Sequence, residues 1–231
     1  MNSTKKQARV AGLLYLLTSI PGVFSLLYVP SHFIVSGDAA STANKIAGSE
    51  FVFRLGIVSE VAGFTGFIFV VRALYRLLVG VNKEHARLMV TLMLVSIPIS
   101  LVNVLNETAA LTLIRGASFL SGFDKPQRDA LAMLFLHLHF DGFMVAQIFW
   151  GLWLIPFGVL VYKSRFLPRI LGVLLILACF GYLANSLVGL GVLPSDVASR
   201  VLGQLTICEV PIILWLATIG AKDQPLAPIA S

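Results

Sequence analysis

Charge is scarce in this chain: Asp, Glu, Lys and Arg make up 12% of its 231 residues, about half the share of an ordinary soluble domain. Long polar segments are missing too. Hydrophobic residues account for 58% of the sequence, and mean hydropathy is +0.91. These deficits exclude a soluble globular domain and a disordered chain, and leave a polytopic membrane protein. Cysteine is nearly absent. Cys179 and Cys208 both fall in apolar runs, so no exported disulfide framework is implied and both read as buried thiols.

Several chemical signatures are also lacking. The sequence has no phosphate-cradling GxxxxGK[ST] or GxGxxG loop, no GxSxG elbow, no HExxH or CxxC metal motif, and no Lys within an apolar run to carry a retinal Schiff base. Internal repeats, heptads and low-complexity tracts are absent. A net charge of +6 would suit nucleic acid, yet the basic residues occupy short loops without interleaved aromatics. No nucleic-acid partner is expected. Anionic headgroups of membrane lipids account for the same residues.

What the sequence does hold is six stretches long enough to cross a bilayer core, which takes about 20 helical residues. They run from Val10 to Val29, Leu55 to Val79, Leu88 to Ile114, Ala130 to Tyr162, Arg169 to Leu190 and Ala198 to Gly220. The expected fold is all-α: six transmembrane helices in one bundle and a single membrane domain over residues 1–231, compatible with an oligomer. The first apolar run is longer than a signal-peptide core, so it is expected to stay as an uncleaved helix. Lys5, Lys6, Arg9, Arg72, Arg76, Lys83, Arg87, Lys163, Arg165, Arg169 and Lys222 fall on one side. Lys45, Arg54, Arg115, Lys125, Arg128 and Arg200 fall on the other. Positive-inside bias then puts both termini in the cytoplasm. The longest outer loop, from about Pro30 to Arg54, is expected to form a lid or a short surface helix.

Against this background, four acids inside apolar runs stand out: Glu60, Glu107, Asp141 and Glu209. An ionised group in hydrocarbon costs about 2.5 to 3.5 kcal/mol on insertion scales, so such residues face a partner, a cavity or a substrate path. All four fall between the outer surface and the midplane under the expected topology. Ser96, Ser100, Asn103 and Glu107 share one helical face, as do Gly56, Glu60 and Gly63, where small residues admit close packing. Both stripes should point into the bundle. His137 and Asp141 are four apart and can meet, whereas His139 is offset by about 200° and drops out of the set. Asn106 and Asn185 read as hydrogen-bonding partners of neighbouring helices. Pro211 should free the Ile207 carbonyl beside Glu209, and Pro98 should do the same to Leu94.

The ligand- or ion-binding candidates are therefore Glu60, Asn103, Glu107, His137, Asp141 and Glu209. Carboxylates with a neutral imidazole suit a divalent metal, for which His137 and Asp141 could supply two ligands and another acid the rest. The same groups could relay protons or bind a cation. Phe64, Phe67, Phe140, Phe143, Trp150 and Trp153 would line an outward-opening pocket for a lipid or isoprenoid.

Three segments carry a resemblance. Arg9-Val-Ala-Gly-Leu-Leu-Tyr-Leu-Leu, Phe53-Arg-Leu-Gly-Ile and Gly158-Val-Leu-Val-Tyr-Lys-Ser-Arg-Phe-Leu-Pro-Arg-Ile-Leu-Gly172 resemble a bacterial family of small multi-pass membrane proteins, domain of unknown function 4386. The resemblance spans most of the chain and implies a single all-helical domain in the bacterial cytoplasmic (inner) membrane. It brings no catalytic residues with it. Binding or transport of a small molecule, cation or lipid is the leading expectation. A membrane-embedded enzyme acting on a lipid-like substrate, with or without a metal, comes next, then a structural or regulatory membrane partner.

Overall fold

A computed structural model describes residues 4–222, and all regular structure among the described residues is helical. Six helices are long and apolar enough to cross a membrane: Thr4–Phe33, Glu50–Leu78, Lys83–Arg115, Lys125–Lys163, Arg169–Gly189 and Val197–Thr218. We number these spans one to six. Most extend beyond the apolar runs from which they were expected. The third has 33 residues, about 50 Å of helix, against a hydrocarbon core of about 30 Å. Large apolar side chains such as Leu17, Ile20, Leu27, Val102 and Leu105 are exposed. Such an outward-facing apolar surface suits lipid.

Polar caps set several helix starts. Asp38 accepts from the Ser41 amide, Asn82 from that of His85 and Asp196 from that of Ser199. Asp124 and Gln127 form a reciprocal box: the Asp124 carboxylate accepts from the Gln127 amide, and the Gln127 side chain accepts from the Asp124 amide. The loop acids Asp38, Asp124 and Asp196 thus satisfy orphan helix donors. Asp38 starts a helix, Ala39–Gly48, within the long loop, in agreement with the expected short surface helix.

Three spans are irregular. The first widens to a π turn at Phe24–Tyr28. The fourth breaks at Trp153, just before Pro156, dividing Lys125–Leu152 from Leu154–Lys163. The sixth tightens to a 3₁₀ stretch over Gln204–Glu209. That tightening changes the expectation for Pro211. The Ile207 carbonyl is not left free, because the Val210 amide donates to it in the shorter 3₁₀ register.

Contacts divide the chain into two compact units. One comprises the described residues of Met1–Leu17, Thr65–Pro98 and Met144–Ser231. Its core holds Trp153, Phe157, Leu160, Leu74, Leu78 and Met89. The other comprises Thr18–Phe64 and Ile99–Phe143, with a core of Phe33, Ile46, Phe53, Ala110 and Ala132.

Within the first unit the segment Gly158 to Gly172 has a clear physical role. A Cβ on Gly158 would lie 2.6 Å from the Gly172 carbonyl oxygen, and one on Gly172 would lie 2.5 Å from that of Gly158. The two glycines that bound the segment therefore let the backbones of spans four and five touch. Between them, Arg165 takes the left-handed conformation (φ 61°) that ends the helix. The Ser164 hydroxyl accepts from the Leu167 amide, and Arg169 lies over the Tyr162 ring. The Phe166 carbonyl accepts from the Lys222 amide, fastening the end of the described chain to this turn.

Candidate functional site

Of the buried acids, Asp129 pairs with Lys125, and Glu60, Glu107 and Glu209 divide between the two units. In the second unit, Glu60 on span two and Glu107 on span three are 2% and 5% exposed. Every residue of the two expected inward stripes is buried: Gly56, Glu60 and Gly63 on one helix, and Ser96, Ser100, Asn103 and Glu107 on the other. The helical periodicity that placed these faces inward is observed directly.

Between the two acids stands His139, from span four. Its Nε2 lies 3.5 Å from Glu60 Oε2 and 4.0 Å from Glu107 Oε1. Neither contact is a hydrogen bond. Glu60 Oε2, Glu107 Oε2 and Ser100 Oγ are buried without a hydrogen-bond partner among the described residues. Glu60, Glu107 and His139 each offer one donor atom, all within 4.8 Å of one another. A metal could be held by these three.

Asn103 positions the histidine from the opposite side. Its Nδ2 donates to the His139 carbonyl at 2.7 Å, and its Oδ1 accepts from Asn106 Nδ2 at 2.9 Å. The missing side chain of Gly142 makes the room, since a Cβ there would collide with the Asn103 carboxamide. His139 Nδ1 lies 3.4 Å from the Asn103 carbonyl and 3.3 Å from Asn103 Nδ2. Nδ1–H donating to the carbonyl is one arrangement these distances allow. Nε2 then turns a bare lone pair toward the two carboxyl groups.

The expected partnership of His137 with Asp141 does not form. Both side chains are exposed, with no hydrogen bond or ion pair among the described residues. The angular offset of His139 was sound, but its consequence was reversed. Ala132, Leu136, His139 and Ala146 lie on the packed face of span four, whereas Leu134, Leu138, Asp141 and Val145 lie on the open one. Small residues on one face had located Glu60. The same test applied to Ala132, Gly142 and Ala146 finds His139.

A cavity of about 380 Å³ adjoins this cluster. Leu26, Val29, Ile34, Phe53, Met133, Leu136, Phe140 and Phe143 form apolar wall, and Glu107, His137 and His139 are its polar groups. Of the six aromatics expected to line one pocket, Phe140 and Phe143 do so, whereas Phe67 and Trp153 pack around Tyr15 in the first unit.

Glu209 belongs to the first unit. Tyr15 donates to its Oε1 and Tyr182 to its Oε2, the latter at 2.6 Å. Both carboxyl oxygens are thereby engaged by phenols from other spans. Tyr15 is enclosed edge-on by Phe67 and obliquely by Trp153, with centroids 5.2 and 6.1 Å away. Nearby, Ser186 donates to Gln147, and Asn185 donates to the Gly203 carbonyl. These are helix-to-helix polar contacts. Nothing in the sequence marks the two phenols, because tyrosine in an apolar run is unexceptional.

A family model described as Domain of unknown function (DUF4386) matches residues 10–220, a range that includes both clusters and the Gly158–Gly172 turn. No curated protein and no solved structure matches the chain.

Proposed function

The chain belongs to the family Domain of unknown function (DUF4386), whose name carries no activity, and from its own chemistry we propose a membrane protein that binds or carries a small amphipathic ligand. The observation behind this reading is the pairing of a largely apolar cavity with a buried acid–imidazole cluster at Glu107 and His139. About 380 Å³ is within the size range of small-molecule sites, which combine apolar walls with a few convergent polar groups. Such a site suits an apolar body ending in a cationic or hydrogen-bond-donating head. The membrane is the bacterial cytoplasmic membrane with both termini inside, an orientation supported by the basic loop residues. The cavity then opens toward the outer leaflet, and the surrounding lipids are partners and a source of ligand.

A membrane-embedded enzyme is the second reading. The observation favouring it is His139 Nε2 between two carboxyl groups, an arrangement suited to proton transfer.

Native mass spectrometry of detergent-purified protein tests the first reading. Wild type should release a stoichiometric amphiphile, and Met133→Trp, which fills the cavity, should abolish it. An unchanged ligand complement in a monodisperse Met133→Trp variant would overturn the assignment.

A further inference from the structure

We propose that Glu60, Glu107 and His139 bind one divalent first-row transition-metal ion, with the adjoining cavity supplying its open coordination position. The role given to the cavity rests on its reading as a ligand site; the metal site itself rests on the geometry of the three side chains.

Donor spacing comes first. Ligands about 2.1 Å from a tetrahedral ion are about 3.4 Å apart. Glu60 Oε2 and His139 Nε2 already stand 3.5 Å apart, and Glu107 Oε1 and Nε2 are 4.0 Å apart. Small carboxylate rotations close the set. The donors come from three different spans, so the helix scaffold fixes them.

Unmet bonding capacity comes second. Glu60 Oε2 and Glu107 Oε2 are buried and have no hydrogen-bond partner among the described residues. With Nδ1–H given to the Asn103 carbonyl, His139 Nε2 is an acceptor facing acceptors. Something positive belongs between them. The Nδ1–carbonyl contact is also the support that metal-bound imidazoles commonly have.

Charge decides among the ions. Two carboxylates, a neutral imidazole and a dication sum to zero, so the loaded site carries no net charge in hydrocarbon. A monovalent cation would leave one uncompensated charge. The nitrogen donor favours a transition metal over Ca²⁺ or Mg²⁺, which take oxygen ligands, and the absence of thiolate disfavours Cu⁺.

Titration of Co²⁺ into chelator-stripped, full-length protein in detergent provides the test. Visible d–d absorption should saturate at one Co²⁺ per chain and collapse on addition of Zn²⁺. Glu60→Gln, Glu107→Gln and His139→Gln should each abolish the saturable signal. Asn103→Ala should weaken affinity by about 10- to 100-fold. Asp141→Asn, on the open face of span four, should bind as wild type. No saturable absorption in monodisperse wild type would overturn the proposal without reliance on any variant, and so would retained binding in Glu107→Gln. Met133→Trp separates the two readings. Wild type that binds no Co²⁺ but loses its amphiphile on Met133→Trp would refute the metal alone. Wild type that binds Co²⁺ with an amphiphile complement unaffected by Met133→Trp would refute the cavity reading alone.

Discussion

Removing the phenol hydroxyls around Glu209 should destabilise the protein more than additively. Tyr182 donates at 2.6 Å, at the short end of O–H···O bonds. A typical hydrogen bond contributes about 0.5 to 1.5 kcal/mol in soluble proteins. Interhelical bonds in membranes average about 0.6 and reach about 1.7 kcal/mol, because the membrane-inserted unfolded state also finds partners. Burial of the acceptor, with both of its oxygens engaged, moves the expectation toward the upper part of the membrane range. Tyr15→Phe and Tyr182→Phe should therefore each cost about 1 to 2 kcal/mol. After the first loss Glu209 keeps one donor, whereas the second strips it of both phenols. The double variant should exceed the sum of the singles by about 1 kcal/mol or more, as expected for two donors sharing one acceptor. Reversible unfolding in mixed detergent–SDS micelles would measure the cycle. Strict additivity, or a neutral Tyr182→Phe, would refute the shared-acceptor argument.

Three other outcomes follow from the geometry. Gly158→Ala should cost about 1 to 3 kcal/mol by overpacking, because the added methyl meets a backbone carbonyl that cannot rotate away; Gly22→Ala, with nothing within 4 Å, should be close to neutral in the same unfolding assay. The side chain and amide of Ser41 hold the Asp38 carboxyl below its ordinary value of 3.8, so its stabilisation of Ala39–Gly48 should be present above pH 3.8 and vanish as pH falls through the lowered value. Hydrogen exchange at Ser41 and Thr42, corrected for intrinsic rates, should show this loss, and Asp38→Asn should keep the cap but flatten the pH dependence. If both termini are cytoplasmic, a membrane-impermeant thiol reagent applied to intact cells should label Ser121→Cys and spare Gly80→Cys; the opposite pattern would invert the topology.

Much of the fold was legible because crossing a bilayer leaves a long, simple signal. All six spans were visible as apolar runs, and the inward faces of Glu60 and Glu107 followed from helical periodicity. Helix ends were less visible, since Asp38, Asn82, Asp124 and Asp196 start helices through local hydrogen bonds that hydropathy does not register. The candidate site was half legible. His139 and His137 differ by two residues, and choosing between them required the small-residue face of Ala132, Gly142 and Ala146 rather than the more conspicuous i, i+4 pairing with Asp141. Glu209 was legible as an acid inside an apolar run, but its partners come from other spans. Tyr15 is 194 positions away, and no local pattern connects them. The Pro211 expectation failed because backbone can relax into a 3₁₀ turn, a response that residue identity alone does not reveal.

The long separation of Tyr15 and Glu209 also bears on how the protein is made. At about 5 to 20 residues per second, roughly 10 to 40 s elapse between synthesis of the phenol and synthesis of the acid it will hold. Span six must bring an acid into the bilayer, at a cost of about 2.5 to 3.5 kcal/mol if ionised and unpartnered. Tyr15 and Tyr182 have already been synthesised by then. Earlier spans thus prepare a receptor for the last one, so loss of those phenols would surface during biogenesis as failed insertion of the carboxy-terminal helix as well as reduced stability of the finished protein.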